Sequence, residues 1–544
     1  MPDVEAALVH ALEAKGLGVF PAFTNTLRDK ATGNKGATIW SREVFLGESG
    51  SRIGALVKFL PYFTNNGGNM PAFVGDDSPA RESVRVFREL GVPIFQPVFA
   101  SSKTLEEWEA DPQGLNSEVS WAVAMPEFEG AIEPFFLGGG TLSQAGVGGT
   151  EIERRTPHPE RVERFASRIA RWLRLRNKPV AERRVAFLLN SDPCASVEAS
   201  VGGAAKLDSL ESVSRILRAM RQAGYAVDVP ESGAALIETI MERKAISEFR
   251  WTTVQEIEAK GGVLAHVDLA TYRRWFDAYP ENVRQKVAEA WGNPPGEPMN
   301  GVPAAMVLNG DILVTGVRWG NAVVCIQPKR GCAGSRCDGQ VCKILHDPSV
   351  PPPHQYIATY RWLQDGFGAD VVVHVGTHGN LEFLPGKSVG LSGACFPDLA
   401  LHEVPHVYIY NSDNPPEGVV AKRRSYAELV DHMQTVMVQS GLYDALEELD
   451  RLLGEWEQAR AGNPNRAHQL EHLIREGIAA ANLESQVSPE TSPDFATLAS
   501  RIHAALGLLR NTHMEDGMHV FGETPQGKRR AQFIASIVRY DAGQ

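Results

Sequence analysis

The chain contains no uninterrupted apolar stretch approaching the roughly 18 residues expected of a membrane span. Its opening, MPDVEAALVHALEAKG, has neither the basic n-region nor the continuous apolar h-region of a signal peptide. Both absences predict a cytoplasmic protein. Cysteine is scarce, with six in 544 residues. That is too few for a disulfide scaffold, and in a reducing compartment clustered thiols more often mean metal or redox chemistry. Basic residues are outnumbered, 54 Lys plus Arg against 66 Asp plus Glu, for a formal net charge of −12. Broad nucleic-acid binding needs a strongly basic footprint, so it is excluded, and only a local basic patch is left open. Fixed-period repeats and low-complexity tracts are absent as well. So is a Walker-type phosphate loop. The Gly-Lys-Ser at 386–388 fails on spacing, because position 381 is Leu381 and Pro385 removes a backbone donor. Any ATP chemistry must therefore come from a partner.

What is present is the composition of a globular protein, 43% apolar and 22% charged. At about 150 residues per domain the length predicts three or four domains. The first 180 residues alternate apolar runs with helical patterns: GALVKFLPYF, then the helix ARESVRVFRELG ending at Gly91, then the strand VPIFQPVFA. An amphipathic basic helix is predicted over 158–176, with Phe165, Ile169, Trp172 and Leu173 at helical spacing. Beyond Pro179, VAFLLN reads as a buried strand, and SLESVSRILRAMRQAGYAVDV reads as a helix closed by Gly224 and followed by another strand.

Residues 230–300 are mainly helical. The strands AAMVLNG, ILVTGVRW and AVVCIQP precede a Cys- and Gly-rich insert, and the helix HQYIATYRWLQDGFG leads into DVVVHVG, whose valines suit a sheet covered on both faces. The expected class is α/β, multidomain, with wound and mostly parallel sheets and a helical C-terminal region. The expected divisions are 1–180, an N-terminal α/β domain; 181–300, a second α/β domain with a helical connector; 301–440, a domain with the Cys-rich loop and a His/Glu site; and 441–544, mainly helical.

The densest chemistry lies in VVVHVGTHGNLEFLPGKSVGLS, residues 371–392. A strand delivers His374, and a Gly-flanked loop delivers His378 and Glu382, at the carboxyl end where wound sheets hold ligands. His plus Glu suits a divalent metal such as cobalt, nickel or zinc, and the same groups can accept protons. His374 reads equally as a core histidine with satisfied ring nitrogens. Cys332, Cys337 and Cys342 in GCAGSRCDGQVC read either as thiolates converging on zinc or an iron–sulfur cluster, with Cys325, Cys395 or His346 as a fourth ligand, or as free thiols. The run Lys422, Arg423, Arg424 reads either as a clamp for anionic substrate groups or as a solvated helical face. Near the end, His513, Glu515, Asp516 and His519 read as ligands or as a polar turn.

GTHGNLEFLPGKSVGLS followed by VPHVYIYNSDNPPEGVVAKRRSY resembles the signature region of the large subunit of ATP-dependent tetrapyrrole metallochelatases, the family of CobN cobaltochelatases and magnesium chelatases. PEFEG, FLLNSDPCASVEASVGGAAKLDSLESV, QPKRGCAGSRC through HDPSVPPPHQY, and GMHVFGETP support the resemblance, in one order from about residue 40 onward. The family's large subunit is usually well over twice as long, so the resemblance implies the central part of such a subunit.

It further implies tetrapyrrole and divalent-metal binding, with separate AAA+ ATPase and integrin-like subunits hydrolysing ATP. The SVGLS, SDNPPEG and PPPHQY variants favour cobalt insertion into a corrin precursor, hydrogenobyrinic acid a,c-diamide. The alternatives are magnesium with protoporphyrin IX, or a tetrapyrrole- or metal-binding module without insertion activity. A stand-alone metal-dependent hydrolase is the remaining reading. On this basis His374, His378 and Glu382 are expected to bind metal, with Glu382 and His378 as proton acceptors. Lys387, Arg423 and Arg424 are expected to meet ring substituents, and Phe383 and Tyr426 to cover the ring face.

Overall fold

The computed structural model describes residues 3–24, 29, 31–64, 79–144, 151–191, 200–247, 252–298, 304–331, 349–377, 379–410, 415–433, 441–460, 462–487, 491, 494–511 and 518–538. The chain divides into two compact units, Met1–His432 and Met433–Gln544.

The first unit is built on a six-stranded sheet ordered Val317–Trp319, Ala322–Ile326, Val185–Leu189, Val371–Val375, His406–Tyr410, Glu428–Asp431. All neighbours are parallel except the antiparallel edge strand Val317–Trp319. Val185–Leu189 and Ala322–Ile326 are buried at every position, as strands covered on both faces must be. Segments 181–300 and 301–440 both supply strands to this one sheet. Along one face run Ala186, Leu188, Val323, Cys325 and Val372, packed with Tyr356, Ile357 and Tyr360 of the helix His354–Arg361 and with Tyr272 and Phe276 of the helix Leu269–Asp277.

A second, four-stranded sheet takes Leu56–Val57, Ile94–Thr104, Ile132–Gln144 and Glu151–Pro157 in that order, the last pair antiparallel. The basic amphipathic helix is observed at Pro159–Asn177, with Phe165 and Ile169 buried. Two of its arginines are buried too, and each meets a carboxylate. Arg161 meets Asp398 at 2.9 and 3.2 Å, and Arg168 meets Glu133 at 2.7 and 2.8 Å.

The strand expected after Gly224 is not formed. Residues 225–230 form no strand: Val227 N–H turns back onto Tyr225 O at 2.9 Å, and the backbone meets the sheet edge through Asn321 N–H to Ala226 O at 2.8 Å and Asp228 N–H to Trp319 O at 3.3 Å. Pro230, without an N–H, closes that stretch. The strands expected over 304–326 form but belong to two sheets, since Val307–Leu308 and Asp311–Thr315 join Val263–Val267 in a separate three-stranded sheet.

The second unit contains the helices Gly441–Ala459, Pro464–Ala480, Glu484–Val487, Phe495–Asn511 and Gly527–Val538. Its core brings Leu449, Leu452 and Trp456 against Leu470, Ile474 and Ile478, and against Leu498 and Ile502, the apolar stripes that helical periodicity dictates. Among the described residues no helix is long and apolar enough to cross a membrane.

Candidate functional site

The carboxyl ends of the parallel strands place Asn190, Gln327 and the loop after Val375 at one edge of the large sheet. The loop's course requires glycine. Gly376 has φ 143°, and a Cβ there would lie 2.6 Å from Asn190 Nδ2; at Gly379 it would lie 2.6 Å from Gln327 Oε1. Both contacts are shorter than a side chain tolerates, so glycine lets this backbone close on the two amides. Asn380 N–H then donates to Gln327 Oε1 at 2.8 Å, and Gly379 N–H donates to Glu382 Oε1 at 2.9 Å. Glu382 follows in a short 3-10 turn, Leu381–Phe383, and is 1% exposed. Burial raises the hydroxyl pKa values of Tyr356, Tyr360 and Tyr408, and the Glu382 charge adds to each. The phenols therefore stay protonated near pH 7, and Tyr408 Oη accepts from Asn190 Nδ2 at 2.7 Å.

Beneath the loop lies a buried hydrogen-bonded chain. His374 Nδ1 and His406 Nε2 are 2.7 Å apart, His406 Nδ1 is 2.7 Å from Ser425 O, and Tyr360 Oη is 2.8 Å from His374 Nε2. Burial, then the neighbouring His406, holds the His374 pKa well below its ordinary value; burial pushes His406 down to about 4. Both rings are thus neutral near pH 7. A carbonyl can only accept, so His406 carries its proton on Nδ1 and accepts at Nε2. His374 then donates from Nδ1 and accepts the Tyr360 O–H at Nε2. With both nitrogens of His374 spent on protein groups, its expected role as a metal ligand gives way to the core reading. Among the described residues no group of three His, Cys, Asp or Glu side chains converges as a metal site.

His354 repeats the pattern elsewhere in the core. Its ring lies 2.8 Å from Tyr272 Oη and 2.9 Å from Gly292 O, and burial lowers its pKa to about 4. These depressed values fix the sign of a pH effect. As pH falls, the unfolded chain takes up these protons first. The contribution of His354 and His406 to stability is complete above about pH 6.5 and is lost progressively toward pH 4. Urea midpoints should fall across that window, each histidine adding up to about 1.4 kcal/mol per pH unit. Midpoints that stay constant from pH 7 to pH 4 would refute buried neutral imidazoles.

The basic and aromatic candidates are placed as framework. Lys387 Nζ donates to the carbonyls of Trp108, Glu109 and Asp111 at 2.7, 2.8 and 2.7 Å, which uses all three of its protons. Arg424 grips the carbonyls of Glu382, Leu384, Gly386 and Lys387 at 2.7, 2.6, 3.2 and 3.0 Å. It therefore holds the backbone that carries Glu382. Arg423 pairs with Glu127 at 2.9 and 3.2 Å. Tyr426 is buried, donates to Asp398 at 2.9 Å and stacks on Phe135, so its ring covers core. Phe383 is half-buried, and its carbonyl accepts from Arg330 at 3.1 Å.

Of the proposed fourth ligands, Cys325 is buried in the sheet core with its thiol pushed up to about 12, and Cys395 Sγ accepts the N–H groups of Lys387 and Ser392 at 3.2 and 3.3 Å. His346, His378, Cys332, Cys337, Cys342, His513, Glu515 and Asp516 lie outside the described residues.

Glu382, held by the Gly379 N–H at the carboxyl edge of a parallel sheet, lies in one of the segments that carry the family resemblance. The CobN/Magnesium Chelatase family profile matches residues 2–544. The chain belongs to this family. It is 43% identical to an uncharacterized protein of Methanocaldococcus jannaschii, over 98% of this chain and 43% of that one. The aerobic cobaltochelatase subunit CobN of Pseudomonas aeruginosa is 34% identical over 86% of this chain and 36% of its own length. A magnesium-chelatase subunit of Cereibacter sphaeroides is 31% identical over 97% of this chain and 41% of its own length. Among solved structures, the catalytic subunit of cobaltochelatase from Mycobacterium tuberculosis superposes with a TM-score of 0.68 at 29% identity, covering 98% of this chain and 42% of that one. The chain thus spans about two fifths of the length of these relatives.

Within this family member, sequence reasoning located the loop and Glu382 but not Asn190, Gln327, Tyr360, His406 or Tyr408, which support it. The available signals were the i, i+4 pair Tyr356 and Tyr360 in HQYIATY, which shares a helix face, and the alternation His406, Tyr408, Tyr410 in HVYIY, which puts three polar rings on one side of a strand.

Proposed function

We propose that this chain binds a tetrapyrrole and serves as the insertion subunit of a metallochelatase, with cobalt and a corrin precursor, hydrogenobyrinic acid a,c-diamide, as substrates. Insertion seats a divalent cation on the ring nitrogens and releases the inner N–H protons, one from a corrin or two from a porphyrin. The reaction needs an acceptor for those protons and a ligand that replaces water on the incoming metal. The observation that carries the reading is Glu382, buried at the carboxyl edge and oriented by the Gly379 N–H at 2.9 Å. A carboxylate can do both tasks, and His378, next to Gly379 in sequence, is assigned to share them. ATP hydrolysis is assigned to separate AAA+ and integrin-like subunits, as the family resemblance implies, and the lack of a GxxxxGK[ST] phosphate loop in this sequence agrees with that division. The Cys-rich loop has no part in this reading.

Reconstitution tests it. With partner subunits and ATP, Co²⁺ and the corrin precursor should give the absorbance shift of a metallated ring, while Mg²⁺ with protoporphyrin IX should not. Activity with the magnesium pair alone would reverse the substrate assignment, and failure to bind either ring would overturn the function. A second reading is a tetrapyrrole- or metal-binding module without insertion activity. It predicts tight ring binding and a yield of metallated ring that partners and ATP leave unchanged.

A further inference from the structure

We propose that the buried series Ser425, His406, His374, Tyr360 and Gln327 is a positioning device that fixes the loop carrying Glu382. Tyr360, His374 and His406 are then positioning residues of the insertion site. The proposal rests on the reading of Glu382 as the proton-accepting group, and it concerns how that carboxylate is held.

A string of imidazoles beneath a base invites comparison with a proton wire, and the geometry decides against one. The series ends on the Ser425 carbonyl, 2.7 Å from His406 Nδ1, and a carbonyl has no proton to pass on. His374 and His406 are 1% and 0% exposed, so neither ring delivers a proton directly to solvent. What the series does have is a direction. Beginning from the carbonyl, each bond dictates the next: His406 must accept from His374, and His374 must accept from Tyr360. The Tyr360 oxygen, its proton committed, accepts from Gln327 Nε2 at 3.0 Å, and the same amide nitrogen lies 3.4 Å from Tyr356 Oη. The Gln327 NH₂ therefore faces the tyrosines, and its Oε1 faces the loop, where it takes the Asn380 N–H at 2.8 Å.

A flipped amide would set NH₂ against N–H at that point, lose the bond and leave buried donors unmatched. The adjacent Gly379 N–H holds Glu382 Oε1. Two consecutive loop amides thus tie the loop to Gln327 and to the carboxylate. The rotamer of Gln327 is set from below, over a path that passes through His374 on Val371–Val375 and His406 on His406–Tyr410 and ends on the Ser425 carbonyl.

The test compares two isosteric variants of the whole chain. Tyr360→Phe removes the link in this series. Tyr272→Phe removes a matched buried link, Tyr272 Oη to His354 Nδ1, also 2.8 Å, which is not part of the series. Both lose one tyrosine–histidine bond, so a merely structural effect moves both alike. Amide hydrogen exchange at Gly379 and Asn380, read on the chain without ligand, should speed up about tenfold in Tyr360→Phe and remain unchanged in Tyr272→Phe. Gln327→Met, which keeps length but removes both amide contacts, should reproduce the Tyr360→Phe result from the other end. In the reconstituted complex Tyr360→Phe should lower kcat about tenfold and keep the tetrapyrrole Kd within about twofold. Equal exchange in the two tyrosine variants, or unchanged exchange in both Tyr360→Phe and Gln327→Met, overturns the proposal. Full insertion activity in Glu382→Gln would instead defeat the reading of Glu382 and leave the exchange result standing.

Discussion

Replacing Glu382 by Gln should lower metal insertion by about 100-fold or more while leaving tetrapyrrole affinity within about twofold. The substitution is nearly isosteric, and an amide oxygen still accepts the Gly379 N–H that now reaches Oε1 at 2.9 Å. Arg424 holds this stretch through backbone carbonyls, Glu382 O among them, so the loop keeps its course. What disappears is the negative charge and the capacity to take a proton, which are what removing inner N–H protons and stripping water from a cation require. Glu382→Asp separates the demands further, since it keeps the charge but shortens the reach by one methylene; partial activity is expected. The measurements are ring-fluorescence titration for binding and the absorbance of the metallated ring for insertion, with partner subunits and ATP present. Unimpaired insertion by the Gln variant would refute the assignment of Glu382.

The sequence made the loop legible because its signals are local. The valine run into His374 is a buried strand by composition, and glycines beside a histidine and a glutamate allow close backbone approach. Both are observed, at Val371–Val375 and at Gly376 and Gly379. The supporting groups were not legible, because they converge through strand order. His374 and His406 meet only because Val371–Val375 lies beside His406–Tyr410, in the register that sets Val372 opposite His406.

Basic residues were misleading for a related reason. A lysine or arginine in a sequence shows a charge but not where its protons are spent. Lys387 spends three on carbonyls at 108–111, more than 270 residues away in sequence, and Arg424, expected to meet ring substituents, donates to the carbonyls of Glu382, Leu384, Gly386 and Lys387. The helix Ser209–Gln222 is legible to within a residue or two, whereas the stretch after Gly224 reads as a strand but forms none, since Val227 N–H closes a tight turn onto Tyr225 O. Apolar alternation reports burial at a sheet edge, and only a ladder of bonds makes a strand.

Asp398→Leu should destabilise the first unit by about 3–5 kcal/mol, the largest loss expected from a single framework substitution. Arg161 and Asp398 are both 0% exposed and form a two-bond pair, and Tyr426 donates to the same carboxylate. Burial by itself would raise the Asp398 carboxyl, but the Arg161 and Arg164 charges and the hydrogen bonds from Arg161 and Tyr426 together outweigh it and hold the pKa below the ordinary value. Removing the carboxylate leaves a buried guanidinium with Glu160, its partly exposed neighbour, and leaves the Tyr426 hydroxyl without its acceptor. The cost comes from these orphaned groups, since a buried pair is worth little over a well-packed apolar replacement. Removing the orphans too, in the triple variant Arg161→Met, Asp398→Leu, Tyr426→Phe, should therefore recover most of the loss. Urea unfolding followed by tryptophan fluorescence measures both; a triple variant no more stable than Asp398→Leu would refute the orphaned-charge account. The effect also reaches the site. Asp398 lies in the helix Phe396–Leu401, whose first N–H bonds Pro385 O at 3.0 Å, within the segment Arg424 grips. Asp398→Leu should accordingly loosen the Glu382 loop and lower insertion, and the triple variant should restore both together.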